Sequence, residues 1–429
     1  LSTTLFNAYV AFSKAIGDYW AGTTTDAGTA TTLVDSSLMG KSNDWVKTGN
    51  CHVILAEEPG GSAAIYDERK VTALDNTTGT LTTLTFAAAP GTGIDYYLNR
   101  IFSPSEIKLA LVRAAPKVFP FLYSKIFDET KVAGNWLKDG SLEYWSSSSA
   151  LAYWTTDTCT LTQDSTAFEY IHGNYSAKLS GSAGNISQSI TNNDDLKYLR
   201  GKRVTLKLRG KSDTASSLRA GVYDGLTLTY TDYHAGDSAW DSESSSWYKE
   251  VDISPEATAV QVLVYHDNAA AVDIVDDIRL IGPNYPKVYI GNLSLAQDYP
   301  RRVSLFSLDG VKDEPIPIRE YEIDSEYLYL KSDWRDYRMR IEGYGYLDFL
   351  SSGVASTAWT ATITLDEPQL QVLIAEAAVS LYSSMAAQYT DGGNKYSIER
   401  LSYWALERDR LQYKFQMPTI SIRGRRGIQ

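Results

Sequence analysis

Helical periodicity in this chain lies at both ends and is missing from the middle. Residues 3–20 place Leu5, Tyr9, Phe12, Ile16 and Tyr19 on one stripe, widened by Phe6, Val10 and Trp20. A stripe that wide needs a partner, either another helix or another subunit. A second helix is expected over 104–127. Ser103 is its N-cap, Pro104 its first residue, and Glu106 completes a capping box. Ile107, Leu111, Ala114 and Ala115 form its face, and Pro116 and Pro120 break or kink it. Residues 367–389 carry an Ala-rich face of Leu370, Leu373, Ile374, Ala377, Ala378, Leu381 and Met385, with Asp366 as cap and Pro368 in the first turn. Residues 396–416 form a more charged helix through Ile398, Leu401, Trp404, Leu411 and Phe415, after a turn at Asp391-Gly392-Gly393.

Between the first two helices, short strands are expected from about 31 to 100, suggesting a small barrel or curled sheet. The signals include His52–Leu55, the run 64–71 and Leu81–Phe86, with turn residues between them. From 135 to 283 the chain turns rich in Ser, Thr, Asp and Tyr and reads as alternating strands. More strands are expected over 287–350. The unsatisfied helical faces then predict an α+β multidomain protein. A helical bundle from both chain ends carries a β-barrel-like insertion, and an all-β sandwich is added to it. The expected domains are 1–134 with 284–429, and 135–283, followed by an extended basic tail at 418–429.

Composition narrows the function. The net charge of −12 argues against a protein that grips duplex DNA by its phosphates. An acidic wall could still line a channel through which DNA slides. The segment 135–283 holds 20 Asp/Glu against 12 Lys/Arg and so carries most of this charge. The two cysteines, Cys51 and Cys159, fall in different expected domains and form neither a disulfide framework nor a zinc pattern. The first twenty residues lack a basic start and a solid apolar stretch, so no secretory leader is expected there. No run of about eighteen apolar residues is apparent, and no membrane span is expected. The four histidines, His52, His172, His234 and His266, lack metal-ligand spacing. No nucleophile elbow or phosphate loop appears, and no catalytic residue is assigned. The expectation is a protein that is not an enzyme.

Several strands of the middle segment resemble, in order, the jelly-roll carbohydrate-binding modules. Asn135-Trp136-Leu137-Lys138-Asp139-Gly140-Ser141-Leu142-Glu143-Tyr144-Trp145 looks like their opening strand, and Gly173–Leu179 and Tyr198–Thr205 like inner ones. Ala271-Val272-Asp273-Ile274-Val275-Asp276-Asp277-Ile278-Arg279-Leu280 is similar to their closing strand. The resemblance covers about 150 residues, mostly at core positions. It implies a glycan platform, for which Tyr223, Tyr230, Tyr233, Trp240 and Trp247 are the candidates, because a pyranose face is apolar while its edges hydrogen-bond. The same aromatics would equally fill the sandwich core. The resemblance also implies a structural Ca²⁺ bridging first and last strands, at Glu143 and Asp277; surface carboxylates are the alternative.

The flanks resemble tailed-phage virion proteins. The pattern runs through Thr31–Leu38, Arg69–Thr82 and Phe86–Leu98, and near the other end through Glu326–Leu330, Arg338–Gly345 and the helix from Glu367. The resemblance implies a head-to-tail connector: a homo-oligomeric ring in the virion neck, made in the host cytoplasm. It would contact portal protein and a tail or further neck protein, and pass DNA without sequence readout. Arg423, Arg425 and Arg426 in the tail would then touch portal or DNA, or form a solvated end. A tail-fibre or receptor-binding protein and a secreted carbohydrate-binding protein are the alternatives.

Overall fold

The computed structural model describes the chain except for residues 1, 47–49, 58–64, 242–246, 284–286, 297–299, 307–314, 332–333, 352, 388–394 and 416–429. The tail arginines Arg423, Arg425 and Arg426, and the turn at 391–393, lie outside the described residues. Strands dominate. Five α-helices occur among the described residues: α1 (Leu5–Ile16), α2 (Pro104–Ala114), α3 (Asn193–Leu199), α4 (Leu370–Ala387) and α5 (Lys395–Lys414). The chain divides into two compact units, one made of 1–124 with 346–429 and the other of 125–345.

In the first unit, α1 is shorter than its apolar stripe. Thr4 caps its start, and Gly17, at φ 76°, ends it. Glycine takes that left-handed conformation without a Cβ penalty. Trp20 therefore opens a strand instead of closing the helix. The end is pinned by a buried polar knot. Tyr9 donates to Asn99, and Asn99 donates to Ser13 Oγ at 3.0 Å. Asp18 accepts from the backbone N–H of Arg100, Ile101 and Phe102. The expected capping box of α2 is present in full. Its helix, however, stops at Ala114; a 3-10 turn over Ala115–Val118 follows, and Ser124–Val132 is a strand, so the helical span expected to 127 is not formed. The two prolines account for this.

Strands Trp20–Thr23, Asp95–Asn99, His52–Glu57, Glu68–Asp75, Thr80–Thr83, Thr32–Val34 and Asp26–Thr29 pair in that order as one seven-stranded antiparallel sheet, around Leu33, Val53, Leu81 and Tyr96. A freestanding helical bundle is not what the ends build. Apolar faces of α1, α2, α4 and α5 share a cluster with residues of strands and loops, among them Ile54, Phe349 and Ile363. The α4 helix is long and apolar enough by length and composition to cross a membrane, contrary to the expectation of no such run. Leu370, Leu373, Ile374, Ala377 and Tyr382 on it are buried in that cluster.

The second unit contains the sandwich expected over 135–283. One five-stranded sheet pairs Thr155–Asp157, Gly184–Ile190, Val260–His266, Leu218–Tyr223 and Leu228–Tyr230, in that order. The other pairs Thr160–Asp164, Ser176–Ser180, Asp273–Ile281, Arg203–Ser212 and Tyr248–Asp252. All the pairings are antiparallel. Inward residues alternate along Val260–His266 and Arg203–Ser212, as in Val260, Val262 and Val264 or Leu206 and Leu208, and meet in one core. Two smaller sheets, which include Lys287–Tyr289, Arg302–Phe306, Tyr327–Leu330 and Arg338–Gly345, belong to this same unit. The boundaries thus fall at 124/125 and 345/346, whereas the sequence suggested 134/135 and 283/284. Strand alternation alone does not tell which neighbour a strand packs on.

Candidate functional site

Outward residues of the first sandwich sheet form the candidate site. Along Leu218–Tyr223 only Arg219 and Tyr223 are less than fully buried and point outward, while Gly221 between them is covered. On the neighbouring strand Gln261, Leu263 and Tyr265 point outward. The register sets Arg219 opposite Tyr265, Gly221 opposite Leu263 and Tyr223 opposite Gln261. On the other side Tyr230 lies opposite Gly221. A Cβ at Gly221 would sit 3.2 Å from the Tyr230 ring, so the glycine leaves room for that ring to lie across the strand.

Tyr230 and Tyr265 stack tilted, with ring centroids 5.5 Å apart. The Arg219 guanidinium carbon lies 4.0 Å from the Tyr230 centroid, 4.5 Å from Tyr233 and 5.5 Å from Tyr265. This is cation–π distance for all three rings. Tyr233 donates to Asp267 Oδ2 at 2.8 Å. Arg219 Nε approaches the same oxygen to 2.9 Å, yet makes no hydrogen bond, so the contact is one of charge to charge. Burial pushes the Tyr265 hydroxyl up to about 12, with Tyr230 adding to it. Burial, then Asp267, also raises the Tyr233 hydroxyl. These phenols stay neutral donors over the physiological range. Tyr223 donates to Gly225 O at 2.9 Å and closes one end of the face.

Three of the five proposed platform residues, Tyr223, Tyr230 and Tyr233, therefore belong to this one sheet and its following loop. Trp247 does not: it is buried in the sandwich core against Gly210 and lies 5.4 Å from the His234 ring. Trp240 is also elsewhere, its indole N–H bonded to Phe168 O at 3.1 Å, with the next residue paired to Gly210. Sequence reading missed Arg219 and Tyr265. Both sit at outward positions of alternating strands, a signal present in the sequence once the strand is registered against its neighbour.

The proposed calcium ligands are engaged otherwise. The strand Asp273–Ile281 carries an irregularity where Asp277 takes φ 51°. The Asp277 carboxylate receives Arg279 through two nitrogens, Nε at 2.9 Å, and Arg338 Nη2 at 3.2 Å. Burial alone would raise this acid, but the arginines, Arg279 first, hold it down to about 2. A cation there would face two guanidinium groups. Glu143 instead accepts from the backbone N–H of Asn174 and Tyr175, each at 3.0 Å, and burial pushes its carboxyl up to about 7. Among the described residues no group of three or more His, Cys, Asp or Glu is arranged to hold a metal ion. The reading of Glu143 and Asp277 as a calcium pair is therefore replaced by an ion network at one residue and backbone capping at the other.

A concavity of about 290 Å³ lies on the opposite sheet between Asp164, Glu169, Lys178, Lys211, Asp213 and Ile274. Lys211 there is paired with Glu169 at 2.8 Å.

No protein-family profile matches the chain, and no curated protein sequence matches it. Among solved structures, a carbohydrate-binding module, TmCBM61, in complex with β-1,4-galactotriose is 16% identical, over 34% of this chain and 98% of that one, with a TM-score of 0.26. The CBM22-1 xylan-binding domain of Paenibacillus barcinonensis Xyn10C is 15% identical over 33% of this chain and 92% of that one, with a TM-score of 0.25. The enzymatically active domain of bacteriophage CBA120 tailspike protein 4 is 14% identical over 34% of this chain, with a TM-score of 0.28; only 22% of its own length is covered. These likenesses extend over a third of the chain and identify no ligand for it.

Proposed function

We propose that the sandwich of the second unit binds a glycan on its tyrosine face. One observation carries this reading: Tyr230, Tyr233 and Tyr265 gather around Arg219 on an outward sheet face, with Gln261 and Tyr223 on the same face. Aromatic rings take the apolar C–H face of a pyranose, and guanidinium and amide groups take its hydroxyl edges. The role is recognition without chemistry. Among the described residues, Ser217, His266 and Asp273 form a Ser–His–Asp grouping, but all three are wholly buried, and Ser217 and His266 both bond Asp273 Oδ2. On a virion, such a face would meet host-surface sugars, as a receptor-binding protein must.

Affinity electrophoresis of the full chain through gels containing xylan, β-1,4-galactan or polygalacturonate tests this. Retardation in at least one gel, abolished by Tyr230→Ala together with Tyr265→Ala, is expected. Unretarded migration in every gel of a broad polysaccharide panel would remove the reading.

A second reading, a ring-forming adaptor between portal and tail in the virion neck, rests on a different feature. On α5, Tyr396, Tyr403, Leu406 and Tyr413 are exposed at spacings of seven, three and seven residues, a stripe on one side of a helix. Copies of the chain, or portal and tail proteins, would cover it. Native mass measurement with and without portal protein decides: rings support the adaptor, and a monomer under both conditions overturns it.

A further inference from the structure

We infer that the glycan recognised by the tyrosine face is acidic, and that Arg219 reads its carboxylate. The inference rests on the glycan reading and deepens it. Arg219 is three-quarters buried, at 24% exposure, with three tyrosine rings about its guanidinium. Apart from Asp267, the structure gives it no acceptor among the described residues. Its Nε is buried against Asp267 Oδ2 at 2.9 Å. A partly buried guanidinium whose outer nitrogens have no protein acceptor among the described residues gains when a ligand supplies one.

The geometry also selects the kind of acceptor. Three rings at cation–π distance surround the guanidinium, and a guanidinium presents its donors along its edge. That edge is a flat pair of donors, which matches the two oxygens of a carboxylate. Asp267, held by the Tyr233 hydroxyl, bears on the Nε side of the group. The outer nitrogens are then left for a uronic or sialic acid carboxylate, with Tyr230 and Tyr265 beneath the sugar ring. A neutral hexose offers hydroxyls in that place, which carry no charge to pair with the guanidinium and so gain less than a carboxylate does.

The test compares each acidic polymer with its own carboxyl-reduced form, so that linkage and ring shape stay constant. Polygalacturonate, alginate and hyaluronan oligomers are titrated into the full chain by calorimetry, beside their reduced counterparts. At least one acidic oligomer is expected to bind tenfold or more tightly than its reduced form. Arg219→Gln should erase that difference, and Arg219→Lys should restore only part of it, since an ammonium lacks the planar fork. Selectivity of the wild-type chain is read without any variant, so a poorly folded Arg219→Gln does not block the test; thermal melts check its folding. Equal binding of acidic and reduced forms overturns the inference and leaves the glycan reading standing. Binding to neither form, nor to the neutral polymers, overturns both.

Discussion

The two outer faces of the sandwich are made by the same alternation and end in opposite states. On one, Arg219 lies among tyrosines and meets solvent. On the other, Arg279 is 2% exposed and locked between Asp277 and Asp336, with Arg338 reaching in from a strand outside the sandwich and Lys207 also on Asp336. Both faces hold arginine, acid and aromatic side chains. What separates a candidate site from a structural joint is whether other parts of the same unit have already filled it. Resemblance to a family's closing strand drew attention to Asp277; Arg279 on that same strand and Arg338 on a later one are its partners.

The largest effect is expected on the locked face. Asp277→Ala removes the buried carboxylate that Arg279 and Arg338 share, leaving Arg279 its contact with Asp336, and should cost about 3–5 kcal/mol. Urea unfolding of the full chain measures it. Tyr230→Ala, on the open face, should change stability by less than about 1 kcal/mol in the same assay. A comparable loss from both variants would abolish the distinction drawn between the faces.

Binding should show the reverse order. Tyr230→Ala and Tyr265→Ala should each weaken retention on the recognised polysaccharide by about tenfold, roughly 1.4 kcal/mol. Asp277→Ala, where still folded, should leave the affinity unchanged. Affinity electrophoresis on the same gel reads both, and an equal loss from the locked face would break the comparison from its other side.

Legibility from sequence follows the same division. Local signals were readable: the Ser103–Glu106 capping box, the α1 stripe and the sandwich core positions all depend on neighbours close in the chain or on strict alternation. Gly17 was the visible stop for α1, and it was overrun because the apolar stripe continues through Tyr19 and Trp20 into a strand. Of the site, the three tyrosines were found by residue type. Arg219 and Tyr265 were missed because their meeting depends on register between strands more than forty positions apart. Trp247 was misjudged for the converse reason: an aromatic on a strand is core or platform according to which way the strand faces. The space at Gly210 that receives it is a long-range fact.

Titration separates two groups that burial shifts in opposite senses. Burial, with Asp139 and Asp128 adding, raises Glu143 from 4.5 to about 7, while the N–H groups of Tyr175 and Asn174 oppose it. The folded chain therefore keeps a proton that the unfolded chain has released. Stability from this group is complete below pH 4.5 and falls as pH rises toward 7. Burial lowers His172 from 6.5 to about 4, with Arg338 helping, so its contribution rises with pH through the window between those values. The two slopes oppose each other in the wild-type chain. Glu143→Gln should expose the His172 rise as a stability that climbs from pH 4.5 to 6.5. Chemical unfolding at half-unit pH steps would show it, and an unchanged profile would mean that Glu143 does not hold its proton in the fold.

The smallest effect tests how the open face is tuned. Tyr233→Phe keeps the ring beside Arg219 and removes only the hydroxyl that donates to Asp267 Oδ2. Asp267 is about a quarter exposed, so water replaces the lost donor in part and folding stability should fall by only about 0.5–1 kcal/mol. Asp267 then becomes a freer competitor for the guanidinium. If Arg219 reads a carboxylate, the variant should lose about two- to threefold in affinity for the acidic oligomer, less than 1 kcal/mol, and nothing for its reduced form. Calorimetry on the matched pair resolves that difference. Equal losses for the two ligands would assign the hydroxyl to direct sugar contact, and the Tyr233–Asp267 pair would then belong to the binding surface itself and not to the support of Arg219.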